Sequence, residues 1–221
     1  MHPATDLSPP LQADRDTRVV YIVDDDELVR NALGSLLRSI DLEVRTFADT
    51  EEFLAAPRAG GASCLVLDVR LRGQSGLALQ QTLLQPGRAP IPIIFMTGHG
   101  DIAMTVRAMK AGAMDFLSKP FREQDMIDAV TAALDKDARR LALGHSLHAL
   151  RVCWDSLTPR EREVVQHVAA GLMNKQIAAY MGIAEITAKI HRGQAMRKMN
   201  SRSVADLVRK MEALGLLQAA H

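Results

Sequence analysis

The sequence predicts an α/β chain in two parts, a five-stranded parallel, doubly wound sheet followed by a smaller all-α domain of four helices. Three observations predict it. Between residues 19 and 134, five short apolar runs alternate with helix-like stretches, a spacing that calls for crossover connections and therefore parallel pairing. Beyond Thr158-Pro159 strand-like runs stop and only short helical patterns follow. Charge divides the same way. From Arg151 onward there are eleven Lys/Arg against six Asp/Glu, and the rest of the chain holds sixteen against twenty. An acidic front and a basic back point to a cation site followed by a polyanionic partner. A length of 221 residues suits two small domains better than one.

Residues 19–23 form the first strand, apolar throughout as a strand covered on both faces must be. Asp26 then caps a helix whose apolar positions Leu28, Ala32, Leu33, Leu36, Leu37 and Ile40 follow helical spacing. Residues 42–47 read as the second strand and 49–56 as a short helix stopped by Pro57. The third strand ends at Asp68, a loop with Gly73 and Gly76 follows, and 77–84 is helical until Pro86-Gly87. After the fourth strand (91–96) come the Gly98-His99-Gly100 turn and a helix capped by Asp101, with Met104, Ala108 and Ala111 inward. A fifth strand (114–117) and a helix over 123–134 complete five βα units. The expected parts are a disordered extension (1–17), the sheet domain (18–134), a linker helix (135–153) and the helical domain (154–221).

In the helical domain Thr158 is a good N-cap, Pro159 suits the first helical position, and Glu161 stands at capping-box spacing. Gly171 ends that helix, Asn174 caps the next (175–181), Gly182 turns the chain into a third (185–199), and Ser201 caps the last. Two helices joined by a tight glycine turn are a helix-turn-helix signature.

Composition excludes several classes. Cys64 and Cys153 have no metal-ligand spacing and read as reduced thiols of a cytosolic protein. His145 and His148 lack a third ligand. No apolar run approaches the ~18 residues of a membrane span, and 1–17 has neither the basic start nor the apolar centre of a signal peptide, so a soluble cytoplasmic protein with no membrane partner is expected.

The chemistry concentrates where strands end, since ligands of open α/β sheets bind beyond the carboxyl ends of the strands. Asp24, Asp25 and Asp26 follow the first strand, Asp68 closes the third, Thr97 follows the fourth, and Ser118-Lys119-Pro120 follows the fifth. Hard carboxylates in an open cluster suit Mg2+, whose octahedral shell accepts phosphate oxygens. A carboxylate beside such an ion attacks a phosphoryl group to give an acyl phosphate, its charge balanced by metal, lysine and hydroxyl. Asp68, the singular acid, is the expected nucleophile.

The series Asp24-Asp25, Asp68, Thr97, Phe116 and Lys119-Pro120, in that order and spacing, resembles the receiver domain of bacterial two-component response regulators over residues 19–134. The resemblance implies a flavodoxin-like fold and phosphorylation of Asp68 by a sensor histidine kinase. It implies Mg2+ on Asp25, Asp68 and the Arg70 backbone carbonyl, with Asp24 assisting through water, and Lys119 on the phosphoryl group before a cis peptide to Pro120. Thr97 and Phe116 would form the switch, and Arg70 and His99 would tune the lifetime of the acyl phosphate. One departure is the loop Leu71-Arg72-Gly73, where the family commonly has proline. A phosphatase of the haloacid dehalogenase type would need a second Asp two residues past its nucleophile, where Arg70 stands, so no enzyme is expected beyond slow self-dephosphorylation.

Residues 157–163 (LTPRERE) and 171–178 (GLMNKQIA), with Thr187, Lys189, His191 and Lys198-Met199, resemble the LuxR-type helix-turn-helix of FixJ-like and NarL-like regulators. At 100° per residue Ala188, Ala195 and Met199 share the core face of the third helix, while Ile186, Lys189, Ile190, Gly193 and Arg197 lie opposite, free for the major groove. Asn174, Lys175, Thr187, Arg192 and Lys198 are the expected phosphate contacts. Ala184 stands where the family has a serine cap, and with Gly193 it weakens this helix by ~1 kcal/mol each. The expected protein is a transcriptional regulator, an activator by its resemblance to FixJ-like activators, that dimerises on phosphorylation through the helix after Asp101, where Met104, Val106 and Ala108 offer an apolar patch. It would bind two half-sites of double-stranded promoter DNA and engage RNA polymerase.

Overall fold

The structure, a computed structural model, describes residues 17–73, 75–98 and 102–217. The expected cap Asp101, His99, and the extension up to residue 16 lie outside the described residues. Two compact units part between Leu141 and Ala142.

The first unit holds β1 (Val19–Val23), β2 (Glu43–Phe47), β3 (Ser63–Asp68), β4 (Ile93–Thr97) and β5 (Asp115–Ser118). They form one parallel sheet in the order β2-β1-β3-β4-β5. The intervening helices are α1 (Glu27–Arg38), α2 (Thr50–Ala55), α3 (Gly76–Leu83) and α4 (Ile102–Lys110), with α5 (Glu123–Asp155) following β5. Every residue of β1, β3 and β4 is buried, which explains their unbroken apolar runs.

Side chains of a strand alternate between faces, and the two cores divide accordingly. Val19, Tyr21, Val23, Leu65, Leu67 and Phe95 join Phe53, Leu79 and Ala108 in one. Val20, Ile22, Cys64, Val66, Ile94 and Met96 join Leu33, Leu37, Met126, Val130 and Leu134 in the other. The edge strands carry more polar sequences, and on β2 Arg45 pairs with Glu43 at 2.7 Å.

The expected cap Asp26 is present, and Asp49, read as the first residue of the second helix, is instead its N-cap. The Asp26 carboxylate accepts the N–H groups of Leu28 and Val29, and that of Asp49 accepts those of Glu51 and Glu52. Two expectations change. The helix over 123–134 and the linker helix are one element, α5, because Asp137 is buried and tied to the sheet. Its carboxylate accepts the Ser63 N–H at 2.9 Å, at the start of β3, and Arg140 Nε at 2.8 Å. On α4 the apolar patch is displaced, since Ala108 is fully buried and Met104 packs on the core. Ile102 (82% exposed), Val106 and Met109 are the exposed apolar side chains there.

The second unit packs α6 (Pro159–Ala169), α7 (Asn174–Met181), α8 (Glu185–Lys198) and α9 (Val204–Ala213) around Trp154, Val164, Val168, Ile177, Ala188, Ala195, Met199, Leu207 and Met211. The Thr158 capping box is complete, with Thr158 Oγ1 accepting the Glu161 N–H and Glu161 Oε2 accepting the Thr158 N–H. Gly171 and Gly182 take positive φ, 84° and 63°, at the ends of α6 and α7. Two caps differ from expectation. Met173 holds the N-cap position of α7, where the Gln176 side-chain oxygen accepts its N–H at 2.8 Å, and Asn174 is the first helical residue. Ser203, not Ser201, caps α9, because Asn200 (φ 51°) turns the chain left-handed after α8 and the connection extends past 201.

Gly76 packs directly under the site edge, where a Cβ would stand 2.3 Å from the Asp68 carbonyl oxygen. Gly76→Ala is expected to destabilise the first unit by about 1–3 kcal/mol, read as a lower urea midpoint by circular dichroism.

Candidate functional site

Strand order brings the acids together. β1 and β3 are neighbours at the point where the order of the sheet reverses, so Asp24, just past β1, stands beside Asp68, the last residue of β3. Thr97 ends β4, and Lys119 lies one residue beyond β5. Lys119 Nζ reaches back to Asp24 Oδ2 at 2.7 Å and Asp68 Oδ2 at 2.6 Å. The other carboxylate oxygens take backbone donors, Asp26 N–H on Asp24 Oδ1 and Arg70 N–H on Asp68 Oδ1, both at 2.9 Å. Arg30 on α1 donates to the Asp24 carbonyl oxygen.

Burial pushes the Asp24 carboxyl above its usual range, against the opposing pull of the Lys119 ammonium and the Asp26 N–H. For Lys119 burial works to lower the pKa, but the bonds to Asp24 and Asp68 outweigh it and hold the ammonium above its ordinary value. The lysine is therefore charged at neutral pH.

Asp25 lies on the rim and pairs with Arg72 Nε at 3.0 Å. Thr97 is fully buried, and its carbonyl accepts the Lys119 N–H at 2.7 Å. The Lys119–Pro120 peptide is cis. Phe116 is half-buried on β5 with its ring 6.4 Å from that of Phe95. Asp24, Asp68 and Lys119 are thus in direct contact, with Asp25 and Thr97 flanking them on the loop after β1 and on β4. Arg30 and Arg72 were not anticipated; each lies on a loop or helix surface where spacing alone says nothing about which acid it meets.

Among the described residues no three His, Cys, Asp or Glu side chains stand grouped as metal ligands. The cations of Lys119 and Arg72 already occupy these carboxylates. In donor chemistry the set fits Mg2+, being all hard oxygen, and the buried Asp24 is short of positive charge.

In the second unit the helical-wheel reading of α8 matches the structure. Ala188, Ala195 and Met199 are buried, while Ile186 (63%), Ile190 (51%), Lys189, Gly193 and Arg197 are exposed. Lys175 is exposed and Thr187 half-buried. Three expected phosphate contacts have partners within the fold. Asn174 Oδ1 accepts Arg192 Nη1 at 3.0 Å, tying α7 to α8. Lys198 Nζ lies 2.6 Å from the buried Glu161 and 3.3 Å from the Ser156 carbonyl oxygen.

A receiver-like sheet with an acid–lysine edge, joined to a helix-turn-helix unit, defines a class of regulators that pair a phosphoacceptor module with a DNA-binding one. Residues 20–131 match the family model for the response regulator receiver domain, and residues 155–211 match that for bacterial regulatory proteins of the luxR family. The chain belongs to the two-component response regulators of the FixJ/NarL type, transcriptional regulators rather than enzymes. It is 52% identical over 198 residues to Nodulation protein W of Bradyrhizobium diazoefficiens, covering 90% of this chain and 87% of that protein. Identity to TodT of Pseudomonas putida is 45%, over 89% of this chain and 86% of that one. The solved structure of the response regulator StyR superposes with a TM-score of 0.82 at 48% identity, covering 89% of this chain and 98% of that chain. Full-length FixJ from B. japonicum gives a TM-score of 0.53 at 34% identity, with 92% and 100% coverage. Family membership implies a histidine kinase partner and DNA, and receiver domains of this family generally bind Mg2+. Among the described residues no helix is long and apolar enough to cross a membrane.

Burial works to raise the Glu161 pKa, but the Lys198 and Thr158 bonds prevail and hold it below its ordinary 4.5. A depressed carboxyl contributes stability that is present above pH 4.5 and is lost as pH falls through the folded value. Lys198→Met, which leaves the buried Glu161 without its cation and with the Thr158 N–H alone, is expected to cost the second unit about 1–3 kcal/mol at neutral pH. It should also flatten the acid limb of the stability curve. Urea titrations between pH 3 and 7, followed by the single tryptophan, Trp154, in that unit's core, check both.

Proposed function

We propose that phosphoryl transfer to Asp68 controls binding of promoter DNA by this chain. The observation that carries the reading is the Asp68 carboxylate, at the end of β3, held between the Arg70 N–H and the Lys119 ammonium beside a second, buried acid. An Asp68 oxygen attacks the phosphorus of a phosphohistidine on the kinase. The O–P bond forms as the P–N bond breaks, and the imidazole leaves. The Lys119 ammonium is already in place for the charge that arrives on the phosphoryl oxygens. Asp24, Asp25, Asp68 and the Arg70 backbone carbonyl would hold Mg2+, which neutralises charge on those oxygens when bound.

Thr97, one strand away, is the hydroxyl that follows the phosphoryl group, and Phe116 is the ring that turns inward with it. The acyl phosphate is lost slowly by self-dephosphorylation. Phosphorylated chains dimerise through α4, whose Ile102, Val106 and Met109 are exposed, and occupy two half-sites on duplex DNA in the cytoplasm. On each half-site α8 enters the major groove with Lys189, Arg197, Ile186 and Ile190. Lys175 and Thr187 contact phosphates, and bound dimers engage RNA polymerase, favouring activation.

Incubation with acetyl phosphate and Mg2+ should add one phosphate to the intact mass of the wild type and none to Asp68→Asn. Only the phosphorylated wild type should bind genomic promoter fragments more tightly. A mass gain that persists in Asp68→Asn would place the phosphoacceptor elsewhere.

Lys189→Ala and Arg197→Ala should each weaken DNA binding by about 1–3 kcal/mol without lowering thermal stability. Lys198→Ala, by contrast, should act mainly by destabilising the fold. Fluorescence anisotropy at several salt concentrations, beside thermal melts, separates the two effects.

A further inference from the structure

We propose that Arg72 is a built-in competitor for the divalent cation, its guanidinium holding Asp25 until the metal displaces it. The inference rests on the reading that Asp24, Asp25 and Asp68 hold Mg2+, and it names the residue of this chain that sets the affinity.

Each of the three acids has a cationic partner in the structure, but the partners differ in kind. Lys119 is largely covered and bridges two buried carboxylates, so its charge belongs to the site. Arg72 is 89% exposed, sits on the loop after β3, and pairs with Asp25, its Nε 3.0 Å from Asp25 Oδ2. A guanidinium at that distance takes an oxygen lone pair that a cation would use and repels the cation as a like charge. Its hold is nonetheless weak, because so exposed an ion pair is largely screened by water.

The structure also offers Arg72 somewhere to go. Arg72 itself lines an open cavity of about 340 Å³, together with Asp49, Thr50, Glu51, Leu71 and Gly73. Gly73, at φ 82°, gives the loop a turn that side-chain-bearing residues rarely adopt. The guanidinium can therefore swing from Asp25 without disturbing Lys119 or the strands, and metal binding is a local exchange of one cation for another.

The test is Mn2+ binding followed by electron paramagnetic resonance, with Mg2+ as competitor, on the full chain and its variants. Arg72→Ala should bind Mn2+ about two- to fivefold more tightly than the wild type at low ionic strength, the gap closing as salt rises. Asp25→Asn should weaken binding, and in its presence Arg72→Ala should no longer change the affinity. Arg38→Ala removes the same charge at the far end of α1 and should leave the affinity unchanged. Equal affinity of wild type and Arg72→Ala, with Asp25→Asn still weakening both, overturns the role of Arg72 and leaves the metal site standing. An equal gain from Arg38→Ala overturns it as well, because overall charge would then suffice. No Mn2+ binding by the wild type, or no effect of Asp25→Asn, overturns the metal site and the inference together.

Discussion

Lys119 holds together what would otherwise repel. Asp24 and Asp68 sit side by side at the end of adjacent parallel strands, one fully buried and one nearly so. Two carboxylates side by side in a partly buried setting repel as like charges, and burial works against ionising Asp24. An ammonium within 2.7 Å of both removes that constraint. The residue has to come from beyond β5, two strands from Asp68 at roughly 4.8 Å per strand, so a long flexible stem is needed and a shorter cation would not arrive. The order of the sheet and the choice of lysine are thus parts of one arrangement. So is the balance that leaves Asp24 hungry for charge while Lys119 stays protonated.

The sheet supplies the rigidity this arrangement needs. Because β1, β3 and β4 are buried on both faces, none of the three can slide by one residue without exchanging its two cores, and their last residues are held in register. Backbone hydrogen bonds extend that register past the strands, from Val69 N–H to Met96 O and from Lys119 N–H to Thr97 O. The loop after β3 is tied to the rest of the site edge by the Arg70–Ser75 bridge and by the exposed Arg72.

Much of this was legible in the sequence because it depends on local rules. Short apolar runs alternating with helical stretches located the strands, Asp26, Asp49 and Thr158 marked helix starts, and polar residues after apolar runs marked the reactive edge. The misreadings share a physical cause, which is that a polar side chain does not announce its partner. Asp137 looked like a solvated linker residue and is buried against the first residue of β3. Asn174 has the chemistry of a cap, yet its oxygen serves Arg192, and Gln176 takes over the N–H at the helix start. Lys198, expected at a phosphate, also has a partner of its own within the fold, Glu161, 37 residues away. Tertiary pairing decided all three, and a single sequence carries no record of it.

Glu161 also bears on how the recognition helix is presented. Ala184 gives α8 no side-chain cap, and Gly193, with nothing near its Cβ position, costs the helix interior about 1 kcal/mol relative to alanine. The stability of α8 must therefore come from outside its own sequence. At its C-terminal end Lys198 is drawn to Glu161, the same carboxylate that closes the capping box of α6. Near its middle Arg192 is fastened to Asn174 on α7. On the inner face Ala188, Ala195 and the C-capping Met199 fill the core, and the small side chains of the two alanines let α8 approach α6 and α7 closely. The helix is held by its neighbours on the inner face and by two polar ties. Lys189, Arg197, Ile186 and Ile190 are left to the exposed outer face, which is the condition side chains must meet if they are to be read against a groove rather than against the protein.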